Sequence, residues 1–84
     1  MSQHHSHEAI VKRLKRVNGH LTSIIDMLVD ERSCVDIAQQ LQAVEAAVRS
    51  AKKTLIHEHI SHCLVEHHDA TQAVEEFRVI AKYL

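Results

Sequence analysis

The sequence predicts an all-α chain of three helices arranged around one long central helix. Three observations lead there. The 84 residues contain no proline, one glycine, one phenylalanine and one tyrosine, a composition that favours helices with short connections over a sheet. Apolar residues recur at alternating intervals of four and three along the first third of the chain. No glycine or proline interrupts residues 34 to 68.

A chain this short makes one domain, residues 1–84. Residues 1–7 hold His4, His5 and His7 and read as a flexible histidine-rich tail. Ser6 can cap a first helix over 8–29, with Glu8 in its first turn. Ile10, Leu14, Val17, Leu21, Ile24 and Leu28 form its apolar seam. Lys12, Arg13, Lys15, Arg16 and His20 lie off that seam, on the solvent side. Gly19 sits mid-helix, where it costs roughly 1 kcal/mol relative to alanine.

Asp30-Glu31-Arg32-Ser33 is the turn, and Ser33 with Asp36 reads as a capping box. It opens a second helix over 34–67 that carries Ile37, Leu41, Val44, Val48, Leu55, Ile60 and Leu64. Asp69 and Gln72 cap a third helix over 70–83, with Val74, Phe77, Ile80, Ala81 and Leu84 on its apolar face.

The second helix carries the chemistry. His59 and Cys63 are four apart and share a face one turn apart. Cys34 lies 25 residues before His59, nearly whole turns, so the three side chains fall on one stripe. Two thiolates and an imidazole make a soft-metal donor set. Cys34 and Cys63 would nevertheless stand roughly 43 Å apart along one helix. They meet only if a second copy runs antiparallel, with its crossing centre near residues 46 to 49. Ala43, Ala46, Ala47, Ser50 and Ala51 surround that centre and would permit close approach. A rod of about 50 Å also protrudes from a globule of this length, so a dimer or a dimer of dimers is the economical assembly.

Copper(I) suits such a set alone, whereas nickel(II) or cobalt(II) wants further nitrogens, which His4, His5 or His7 can supply. Net charge is −1 with histidine neutral, so nucleic-acid binding needs a local patch. Lys12, Arg13, Lys15 and Arg16 supply one, and Arg49, Lys52 and Lys53 add to it. No serine elbow, phosphate loop or zincin spacing is present, which argues against an enzyme. No apolar run reaches the roughly 20 residues of a membrane span, and the start has no apolar signal region, so a cytoplasmic protein is expected.

Together these residues resemble the CsoR/RcnR family of bacterial metal-responsive repressors. The likeness runs through RLKRVNGHL at 13–21, the stretch from Cys34 to QQLQAV at 34–44, and LIHEHISHC at 55–63. The resemblance implies a three-helix protomer, an antiparallel dimer and a disc-like tetramer. It implies a site shared between subunits, with Cys34 from one protomer and His59 and Cys63 from its partner. It implies binding to double-stranded operator DNA without metal and release with it, derepressing an efflux gene. The histidine-rich start and LIHEHISHC look closest to nickel- and cobalt-responsive members, with copper(I) as the alternative effector. Some relatives carry arginine where this chain has Glu45, and here Arg49 stands one turn on. Readings from other classes are a metal buffer that never touches DNA, and a redox sensor joining Cys34 to Cys63 across subunits.

Overall fold

Helix α1 spans His5–Val29, α2 spans Cys34–Glu66 and α3 spans Ala70–Ala81. The computed structural model describes the backbone of residues 5–66 and 70–84, and the side chains of 7–61 and 71–84. Regular structure among the described residues is all helical, as expected.

The helix ends differ in detail from expectation. Helix α1 starts at His5 rather than residue 8, so Ser6 lies within its first turn and residues 5–7 are no tail. Nothing in that segment breaks a helix, and Glu8 in the first turn complements the unpaired N–H groups. Helix α2 ends at Glu66, and the expected cap Asp69 lies outside the described residues. Helix α3 stops two residues early because the chain tightens. The N–H groups of Lys82, Tyr83 and Leu84 donate to the carbonyls of Val79, Ile80 and Ala81 at 3.3, 3.0 and 3.2 Å.

The α1–α2 turn is built from backbone bonds. Arg32 N–H reaches the Met27 carbonyl at 2.9 Å and Glu31 N–H the Leu28 carbonyl at 3.1 Å, a Schellman closure. That closure needs a left-handed residue, and Glu31 fills the place at φ 54°. Side chains are strained there, so Glu31→Gly is expected to raise stability by about 1 kcal/mol, read as a higher melting temperature. Ser33 Oγ then accepts from Asp36 N–H at a long 3.5 Å, one half of the expected capping box.

Helix α1 lies along α2 and the core forms between them. Val17 and Ile24 meet Ile37 and Val44, flanked by Met27 and Ala47. Ala51 and Ile56 are buried further along α2. The spacing is seven throughout: Ile37, Val44 and Ala51 face inward, and Leu41, Val48 and Leu55, four residues after each, do not. These three are 47%, 44% and 40% exposed. On α1 the seam divides likewise, with Val17 and Ile24 covered and Leu14, Leu21 and Leu28 exposed. On α3, Ile80 and Ala81 are half-buried, whereas Val74, Phe77 and Leu84 of the expected apolar face are exposed. The protomer therefore covers one apolar stripe of each helix and leaves another open.

Of the five small residues near the expected crossing, three already have places within the protomer: Ala47 joins the core, Ala51 is buried, and Ser50 bonds to Arg13. Gly19 approaches nothing within the protomer, since a Cβ there would meet no atom within 4 Å. The chain is elongated, 55 × 25 × 13 Å, with a radius of gyration of 17.4 Å. A compact globule of this length would be near 12 Å.

Candidate metal and nucleic-acid site

Cys34 is the first residue of α2, exposed, its thiol outside any disulfide. Leu41, Val48 and Leu55 follow it at seven-residue steps, so Cys34 heads the uncovered apolar stripe. His59 lies towards the other end of the same unbroken helix, about 37 Å along its axis. Cys63 is one turn beyond on the α2 backbone, its side chain outside the described residues. Among the described residues no group of three metal-ligating side chains forms. Within one chain the helix holds Cys34 and His59 apart, because no kink or break folds α2 back on itself.

His59 is half-buried and its Nε2 lies 3.8 Å from Glu76 Oε2. Glu76 comes from α3, which folds back against α2. Metal-binding imidazoles commonly give one ring nitrogen to a carboxylate and the other to the ion. Glu76 stands in that carboxylate position, and sequence reasoning missed it. Its only local sign is a carboxylate on the inner face of a short helix. His57 is exposed. His7 is exposed on α1, while His4 and the side chains of His5 and His62 lie outside the described residues. A thiol at a helix start, free of disulfides, and an imidazole backed by a carboxylate are donors that fit a soft or borderline metal ion.

The basic residues form a second feature. Lys12, Lys15, Arg16, Arg49, Lys52 and Lys53 are exposed. Arg13 and His20 are half-buried, contrary to the expectation that both face solvent. Arg13 Nη1 donates to Ser50 Oγ at 2.6 Å, and His20 Nε2 bonds with Gln40 Oε1. Both cross from α1 to α2 and mark the register in which the apolar core packs the helix pair. Long polar side chains can lie along an apolar contact while their heads reach the neighbouring helix, and spacing alone does not reveal that.

Ser50 follows Arg49 on α2, so the Arg13 bond links the first basic cluster to the helix that carries the second. Between the helices runs a groove of about 190 Å³ lined by Arg13, Arg16, Val17, His20, Ala47 and Ser50. Arg49 Nη2 also lies 4.0 Å from Glu45, with both side chains about 70% exposed. Exposed pairs of this kind hold weakly, so Arg49 remains available to an outside anion.

Comparison with known proteins agrees with the fold. The family model described as metal-sensitive transcriptional repressor matches residues 6–82. The copper-sensing transcriptional repressor RicR of Mycobacterium tuberculosis is 40% identical over 65 residues, covering 77% of this chain and 62% of RicR. The copper-sensing transcriptional repressor CsoR of Bacillus subtilis is 35% identical over 78 residues, covering 89% of this chain and 77% of CsoR. In structure, the nickel-responsive transcriptional regulator InrS matches with a TM-score of 0.86 over 99% of this chain and 97% of InrS, at 21% identity. At that identity the match establishes the shared fold. The family consists of repressors rather than enzymes, and no described helix is long and apolar enough to cross a membrane. With 77 of its residues inside the family model and a 35% identical relative covered over most of its length, the chain belongs to the metal-sensitive transcriptional repressors of the CsoR/RcnR family.

Proposed function

We propose that this chain is a cytoplasmic homotetramer, built from antiparallel α2 pairs, that holds operator DNA when metal-free. Nickel(II) or cobalt(II) is the effector that releases the DNA and derepresses a metal-efflux gene. One observation carries the reading: a thiol and an imidazole sit at opposite ends of one unbroken 33-residue helix, joined by an exposed apolar stripe. Pairing that stripe with a reversed copy covers its apolar side chains. It also brings Cys34 of each protomer to His59 and Cys63 of its partner. Cys34 of one protomer with His59 and Cys63 of the other would hold the ion, and a bound ion would favour one geometry of the pair.

The chain's own residues do the rest. Glu76 orients His59, and the face made by Lys12, Arg13, Lys15, Arg16, Arg49, Lys52 and Lys53 binds phosphates. A change in how the α2 helices cross alters the spacing of the two basic faces in a dimer. Coupling of this kind typically amounts to about 1–3 kcal/mol, or roughly 5–150-fold in DNA affinity. Support for nickel or cobalt comes from the helix register. Arg13 opposite Ser50 and His20 opposite Gln40 run α1 antiparallel to α2, so the His5 start of α1 heads towards the turn that holds His59. The histidine-rich start would then supply the extra nitrogen.

Copper(I) is the second reading, favoured by the copper-sensing relatives at 35–40% identity and by a Cys-His-Cys set that suits trigonal copper(I). A duplex selected from a random-sequence pool by binding to the metal-free protein provides the probe. Nickel(II) or cobalt(II) is expected to release it at one ion per protomer. Release by copper(I) alone, unaffected by removing residues 1–7, would establish the copper reading. Failure to select any duplex would leave a metal buffer. Glu76→Gln is expected to lower metal affinity by about 10–100-fold with the helical content unchanged, measured by competition with a chelator.

A further inference from the structure

We infer that Ser50 is a positioning residue for DNA binding: its hydroxyl fixes the Arg13 guanidinium across the α1–α2 groove so that Arg13 meets a backbone phosphate already oriented. The inference rests on the DNA-binding reading above and adds to it a residue that carries no charge.

Arg13 is the one basic residue of the two clusters that is not fully exposed. Its Nη1 donates to Ser50 Oγ at 2.6 Å, a short bond, and the remainder of its planar fork can still address an anion. Arg16, His20 and Ser50 line the same groove, whose floor is Val17 and Ala47. The apolar floor holds the aliphatic stem of Arg13 and the hydroxyl holds its head, so the side chain is set before DNA arrives. Exposed lysines such as Lys12 and Lys15 have no such anchor and must be ordered on binding. Ordering a long side chain at an interface weakens association, and prior fixation removes that penalty.

Ser50 directly follows Arg49 on α2, one of the basic residues. As an exposed serine in mid-helix it adds little to stability. Alanine is the better helix former, and the hydroxyl of the next such residue, Thr54, merely bonds back to the Ser50 carbonyl at 3.1 Å. A role confined to folding would instead lower the melting temperature of Ser50→Ala along with its DNA binding.

The test measures binding of a labelled duplex, selected from a random pool as above, to the metal-free full chain. Ser50→Ala is expected to weaken binding about three- to tenfold while the melting temperature stays level or rises. Ser50→Thr, which keeps the hydroxyl, should restore it. In an Arg13→Ala background Ser50→Ala should have no further effect, because the residue it positions is gone. The slope of log affinity against log salt should fall by about 0.9 for Arg13→Ala and stay unchanged for Ser50→Ala. Unchanged affinity in Ser50→Ala alongside a loss in Arg13→Ala would overturn the positioning role and leave the repressor reading intact. Equal, additive losses in both backgrounds would also overturn it. Indifference of DNA binding to Arg13→Ala and Arg16→Ala would instead count against the repressor reading itself.

Discussion

Cys34→Ala is expected to abolish metal-triggered release of DNA while leaving repression intact. Cys34 supplies one of only two thiols in the chain, and the other, Cys63, is already assigned to the site, so no spare thiolate can take its place. Loss of a metal ligand should exceed the roughly 10–100-fold effect typical of its supporting residues, so affinity should drop by more than about 100-fold. The fold should not notice. Cys34 is exposed at the first position of α2, where alanine is well tolerated and surface changes usually stay within about 0.5 kcal/mol. DNA binding should persist, because Ser50 and the basic face begin about 24 Å further along the helix. The expected signature is an unchanged melting temperature and unchanged DNA affinity, with no response to added nickel, cobalt or copper. A variant that still releases DNA on metal addition would remove Cys34 from the site.

Val48→Glu is expected to be as severe, by a different route. Val48 stands on the open stripe between Leu41 and Leu55, midway between Cys34 and the His59–Cys63 turn. In an antiparallel pair it lies at the two-fold crossing, where each copy meets the other at the same residue. Glutamate would place two carboxylates opposite one another in an apolar contact, and an uncompensated buried charge costs several kcal/mol. The protomer itself should survive, since Val48 is 44% exposed and glutamate is a good helix former. Sedimentation should report a helical monomer that binds neither metal nor DNA tightly. Val44→Glu, facing α1 at 8% exposure, should instead unfold the chain. A Val48→Glu variant that remains a stable oligomer would show that the pairing uses another face.

The fold was legible because its signals are local. Seven-residue spacing, the Asp30–Ser33 turn and the absence of breakers through α2 each act over a few residues, and each has its counterpart in the structure. The ends were less legible. The start of α1 passed Ser6 because an internal serine costs less than giving up a further helical turn. The candidate ligands on α2 could be aligned from residue number alone, since an unbroken helix converts spacing directly into direction. Their surroundings could not. Glu76 reaches His59 only because α3 folds back, and Ser50 and Gln40 meet Arg13 and His20 only through the α1–α2 register. That register is fixed by Val17, Ile24, Ile37 and Val44 interlocking, a property of the packed pair that neither helix states on its own. The same limit applies to Arg13 and His20, whose spacing points to solvent and whose side chains the packed pair half-buries.

The central claim is that each metal site draws on two protomers, and mixing two defective chains tests it most directly. Cys34→Ala and Cys63→Ala each remove a sulfur from every site of their own dimer. When the two are unfolded together and refolded, a mixed dimer keeps one site with both sulfurs and loses both sulfurs from the other. Equilibrium dialysis with nickel, cobalt or copper(I) is predicted to find no tight binding in either variant alone and one tightly bound ion per mixed dimer. Mixed dimers that bind no more metal than the separate variants would contradict a shared site.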